Sequence, residues 1–233
     1  MENDNKDLCT ALSQSIGNEA LDSFSDIAEA GLDQFIDNEL LKEIPIISTA
    51  TALYRIGHGI IELHGYKKLC AFIQSINDCC CDQKTFDKYR KIITDNPKKR
   101  NQQIEYLLVM INRYVGYDKP QMLAKVFLAY LDRKIDWNEL SVLSEIIDRL
   151  LPGDFNVLLL SDNYESIQGE GADILMRLMS LGLIIEKIID TGNIKVVGST
   201  LHIGNQDVED QRHIYLRTKL GNRLVDIVSI RIE

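Results

Sequence analysis

The chain has 233 residues, 45% of them hydrophobic and 26% charged, which allows one large domain or two small ones, each with its own core. Its net charge of −9 sits in residues 1–43, where 11 acids face only Lys6 and Lys42, while acids and bases balance over the remainder. Bulk charge therefore supplies no basic stripe for nonspecific nucleic-acid binding. The acidic start MENDNKDLCTALSQ has neither the basic nor the apolar region of a signal peptide, so a cytoplasmic protein is expected.

Residues 7–17 predict a short helix ending at Gly17, and 19–41 a longer one. In the second, Leu21, Phe24, Ile27, Ala28, Phe35 and Ile36 recur at intervals near three and four, with acids on the opposite face and a break or bend at Gly31. Together they make residues 1–43 an acidic helical leader. Next comes the most apolar run, residues 44–63, IPIISTATALYRIGHGIIEL. Pro45 suits the first turn of a helix, and the small residues Ser48, Thr49, Ala50, Thr51 and Ala52 let another backbone come close. Gly57 and Gly59 mark either a stop or a tight approach, since each costs about 1 kcal/mol relative to Ala inside a helix. The run is long enough to span a bilayer, but Arg55 near its middle costs about 2.5–3.5 kcal/mol on insertion scales, with His58 and Glu62 behind it. A buried core helix is the favoured reading, ahead of a segment that enters a membrane only on activation. Ile46, Ile47, Ala50, Leu53, Arg55, Gly57, His58 and Gly59 are the candidate contact residues for a partner or a membrane.

The pattern stays helical over 66–77, with Leu69, Phe72, Ile73 and Ile76 inward and Lys67 and Lys68 outward, and again over 85–94. Between them lies a turn around Cys79, Cys80 and Cys81. With Cys9 and Cys70 these lack the paired spacing of a zinc site, so reduced, mostly buried thiols are expected. Asn96-Pro97 marks residues 95–101 as a loop. Its Lys98, Lys99 and Arg100, with Lys84, Lys88, Arg90 and Lys91 nearby, form the one basic patch: a solvated face, or a contact for phosphate or for an acidic partner, the acidic leader itself being one candidate. Residues 102–116 and 119–133 predict a helical hairpin. Ile104, Leu107, Leu108, Ile111 and Val115 line its first arm, and Gly116 and Pro120 shape its turn. Asp136 caps a helix through Leu151 that carries Trp137, the single tryptophan. These elements divide the chain into the leader, a helical bundle over 44–134 and a tail over 135–233.

At Pro152-Gly153-Asp154 the pattern changes. A short helix over 155–160, a polar turn and a helix over 172–181 ending at Gly182 precede β-branched runs at 183–189, 194–197, 201–203 and 213–216, and a last helix spans 218–230. The chain is thus mainly α, an N-terminal helical bundle followed by a small α+β domain. ILMRLMSLGLI (174–184) looks like a third helix turning into a wing, and YLRTKLGNRLVDIV (215–228) like a final strand with a T-x-x-G-x-x-L helix start. On these segments the tail resembles a winged helix. The resemblance implies a third helix that, in DNA-reading members, enters the major groove with bases or amides outward. Here that helix offers only Arg177, beside Glu170 and Asp173, and residues 153–233 hold eight bases against 12 acids. The departure favours a winged helix used for protein contact, or as a folding cap, over one that reads DNA.

Ile44-Pro45-Ile46, Tyr54-Arg55-Ile56-Gly57, KKLCAF (67–72) and KVFLAYLDRKIDWNEL (125–140) resemble a bacterial helical family without an assigned activity, found near phage-defence and mobile elements. That resemblance implies an antiviral context and transfers no catalytic residue. His58, His64, His202 and His213 accompany no serine elbow, P-loop, H-E-x-x-H or dinucleotide fingerprint, so no enzyme, metal or cofactor is expected. The expected role is a non-enzymatic effector or adaptor that acts by protein–protein contact, through a partner or as a homo-oligomer, and engages a membrane through residues 44–63 on activation. The alternative is a winged-helix DNA-binding transcription regulator, although charge disfavours nucleic acid without excluding it.

Overall fold

The computed structural model describes residues 4–17, 44–49, 63–79, 83–160, 164–165, 171–190, 194–197, 200–203 and 211–229. These are mainly helical. The elements in chain order are α1 (Asp4–Ser15), α2 (Leu63–Asp78), α3 (Gln83–Thr94), α4 (Pro97–Arg113), α5 (Asp118–Leu131), α6 (Trp137–Arg149), α7 (Asp154–Leu160), β1 (Tyr164–Glu165), α8 (Ala172–Ser180), β2 (Ile184–Asp190), β3 (Ile194–Val197), β4 (Thr200–Ile203), β5 (Gln211–Arg217) and α9 (Lys219–Val228). The expected helix over 19–41 lies outside the described residues, as do Cys80 and Cys81. The chain divides into two compact units, residues 1–148 with 230–233, and residues 149–229.

In the first unit α1 packs on α3 and α4, and α2 packs on α5 and α4. The apolar stripes dictate these contacts. Leu8 and Leu12 of α1 and Ile16 just past its end are buried, as are Leu69, Phe72, Ile73 and Ile76 of α2, at intervals that put each set on one face. Phe72 meets Phe127 of α5 at 6.0 Å, and Tyr130 and Tyr106 each meet Trp137 edge-on at 5.5 Å. The ring chain ties α2, α4, α5 and the start of α6 together, and each edge-to-face pair is worth about 0.5–1.5 kcal/mol beyond burial.

Several helix ends depart from the sequence expectation. Residues 95–101 are not a loop: the connection is only Asp95 and Asn96, and α4 begins at Pro97. Asn96 takes the left-handed conformation at φ 53°, and proline at the first helical position loses no hydrogen bond. The Asn-Pro pair therefore ends α3 and starts α4 at once. Lys67 and Lys68 do not point outward either. Lys67 is buried, and Lys68 Nζ donates to the carbonyls of Asn112 (2.8 Å) and Tyr114 (2.9 Å), capping the C-terminus of α4. That helix stops at Arg113, so Val115 is 80% exposed instead of lining the helix, whereas Tyr114 turns inward and donates its hydroxyl to Ser144 O at 3.0 Å. The Asp136 cap is present: its Oδ1 accepts from Glu139 N at 2.8 Å.

In the second unit β1, β5 and β2 form an antiparallel sheet in that order, and β3 pairs with β4. Strand β1 lies in the stretch read from sequence as a polar turn. The end of α8 is set by Gly182 at φ 71°, a left-handed position that glycine fills without strain. Thr218 then explains the T-x-x-G-x-x-L pattern. Its Oγ1 accepts from Gly221 N (3.0 Å) as the N-cap of α9 and donates to Gly182 O (2.7 Å). Gly221 lies so close to the Leu183 carbonyl that no Cβ fits, and Leu224 is fully buried.

Candidate contact surfaces

The apolar run at 44–63 is described only at its two ends. Residues 45–49 are helical, and Ile44, Ile46 and Ile47 are buried. Ile46 N donates to Ser15 Oγ at 2.9 Å, and that hydroxyl in turn donates to Ala11 O at 2.8 Å. Ser15 is fully buried, so the run begins docked against the last turn of α1 through a satisfied polar link. Ala50, Leu53, Arg55, Gly57, His58 and Gly59 lie outside the described residues. Among the described residues no helix is long and apolar enough to cross a membrane.

The basic patch divides into bases the fold uses and bases it leaves outside. Arg90 donates from Nε (3.1 Å) and Nη2 (2.6 Å) to Ile16 O, closing the C-terminus of α1. Arg100 Nη1 donates to Gln103 Oε1 (3.0 Å) and Tyr130 Oη (2.9 Å), with its guanidinium 5.1 Å from the Tyr130 ring centre. Lys88 pairs with Asp132 at 2.7 Å. Burial alone would raise the Asp132 carboxyl, but hydrogen bonds from Lys88 and Tyr89 outweigh it and hold the group below its ordinary range. Lys84, Lys91, Lys98 and Lys99 are exposed.

The sequence singles out Arg177 as the one base on α8, and the structure turns it inward. Arg177 Nη2 and Nε donate to Asp154 Oδ1 (2.9 Å) and Oδ2 (3.2 Å), and Nη1 donates to Asp173 Oδ2 (2.8 Å). Asp154 is fully buried and also accepts from Leu151 N at 2.8 Å, so both of its oxygens are satisfied. The hydrogen bonds that Arg177 donates to Asp154 and then to Asp173 raise the guanidinium further, and the one to Asp173 lowers that carboxyl. What α8 leaves exposed is Ala172, Asp173, Met176 (69%) and Ser180, and Ile185 of β2 is 53% exposed. Sequence reasoning gave Asp154 no role. The available signal was the Pro-Gly-Asp break, which puts an acid at the first turn of a helix.

Cys9 and Cys70 are buried free thiols and Cys79 is partly buried. Burial pushes Cys9 up to about 11, against the pull of Arg100, and pushes Cys70 higher still. Neither is a ready nucleophile near neutral pH. Among the described residues no group of three His, Cys, Asp or Glu side chains is placed to hold a metal ion. Comparison with protein-family models, with curated proteins and with solved structures finds no match to this chain.

Proposed function

We propose that the protein is a non-enzymatic effector or adaptor that works by protein–protein contact, with the second unit as a winged-helix-like contact module. The order α7, β1, α8, β2, β3, β4, β5, α9 and the sheet β1–β5–β2 support the winged-helix reading. The observation that carries the function is the Arg177 pair. A groove-reading helix needs outward donors aimed at phosphate and base edges. Here the only base of α8 is held by two carboxylates, and the outward face offers an acid and a methionine. An exposed methionine adapts to an apolar partner, and an acid beside it repels phosphate.

The buried start of the 44–63 run supports the second part of the proposal, in which this segment is sheltered at rest and engages a partner or a bilayer when released. A phage-defence setting rests on the family resemblance alone. Two assays test the reading. Gel shifts with the protein's own upstream DNA at low salt should show no retardation, and a complex specific to that sequence that survives competition by unrelated duplex would favour the regulator instead. Flotation with anionic liposomes tests the bilayer arm. Lipid association that appears only on triggering supports it, and absence under every condition leaves protein contact as the sole mode.

A further inference from the structure

Residues 83–100 carry seven bases against Asp87 and Asp95, a net of +5 in a chain whose total is −9. The three bases engaged by the fold, Arg90, Arg100 and Lys88, are held by Ile16 O, by Gln103 and Tyr130, and by Asp132. The four others, Lys84, Lys91, Lys98 and Lys99, are exposed and make no side-chain ion pair or hydrogen bond among the described residues. Their placement brings them to one corner. Lys91 lies in the last turn of α3 and Lys98 and Lys99 in the first turn of α4, with two residues between the helices. Lys84 and Lys91, seven residues apart, share a helix face and extend the patch by about 10 Å along α3.

We propose that this corner receives a short acidic segment of a partner protein. The proposal rests on the adaptor reading above and names the chemistry of one partner. Both arginines of the patch are engaged by the fold, so the exposed charge is all lysine, which attracts anionic groups as point charges and offers no bidentate fork for base edges. The patch is also short. About three or four extended acidic residues span 10 Å, whereas a duplex would run on past it along a molecule that is net negative elsewhere.

The test uses the full chain and a fluorescent decaglutamate peptide, read by anisotropy. Binding should be measurable at low salt and weaken by roughly tenfold or more at physiological ionic strength. K98E/K99E should abolish it. R149E/K219E, which changes net charge equally but lies outside the patch, should change it less than about twofold. Circular dichroism establishes that both variants fold. No binding at low salt, or equal loss in the two variants, would overturn the proposal. So would tighter binding of duplex DNA than of the peptide, or a salt-labile self-assembly removed by K98E/K99E, which would make the corner a contact between copies. Absent peptide binding or a contact between copies leaves the α8 surface untouched, so the adaptor reading stands or falls separately from them, whereas preferred DNA binding would count against both.

Discussion

At Gly221 a single hydrogen decides whether α9 can seat. A Cβ there would meet the Leu183 carbonyl, which also accepts from Thr218 N at 2.9 Å and so has little freedom to retreat. Gly221→Ala should cost about 2–3 kcal/mol through a backbone shift, and Thr218→Ala about 1 kcal/mol through the lost cap, both measurable by urea unfolding. Asp154 is the second such residue. Removing its carboxylate leaves Leu151 N and the Arg177 fork without their acceptor, so Asp154→Ala should destabilise the protein by about 2–3 kcal/mol. Asp132 adds a pH dependence. Its carboxyl is lowered in the folded state, so its share of stability is present above the ordinary value of 3.8 and is lost as pH falls through the folded value. Unfolding at neutral and acid pH should therefore show a smaller acid loss in Asp132→Asn than in the parent. Cys9 runs the other way. A thiol raised to about 11 stays protonated when folded while the unfolded thiol ionises above about 9, so stability falls at alkaline pH. Peptide-resolved alkylation near pH 8 should leave Cys9 and Cys70 unmodified until denaturant is added.

Among the elements, legibility followed periodicity. Helices α2, α3, α5, α6, α8 and α9 and strands β2 to β5 stand within a few residues of their expected positions, because each has an apolar repeat bounded by glycine, proline or a capping side chain. The misses share a cause, which is a partner distant in sequence. Nothing local says that Lys68 will cap α4 forty-odd residues on, that Tyr114 will turn under α6, or that Tyr164 will pair with Tyr215. Lysine read as an outward charge and a polar stretch read as a turn are sound local inferences that tertiary contacts override. The candidate site was legible in the same uneven way. The scarcity of bases on α8 could be counted, but not the inward turn of Arg177, since Asp154 lies 23 residues away. The Asp136 cap gives the simplest check at this scale. Asp136→Ala should cost about 1 kcal/mol by weakening the start of α6, read as a lower urea midpoint.

Across the whole molecule, charge is arranged more tellingly than it is summed. The net negative charge belongs to residues 1–43, the exposed lysines gather at the α3–α4 turn, and the single base of α8 is held by two carboxylates, and the proposal of protein contact rests on this arrangement. The most direct test places a photo-crosslinking side chain at Met176 of the full chain in the cells that produce it, with the same group at exposed Gln102 as the control. A discrete adduct should form at position 176 that protease digests, nuclease leaves intact and the control lacks. A nuclease-sensitive adduct at 176, or no adduct at all, would contradict that proposal.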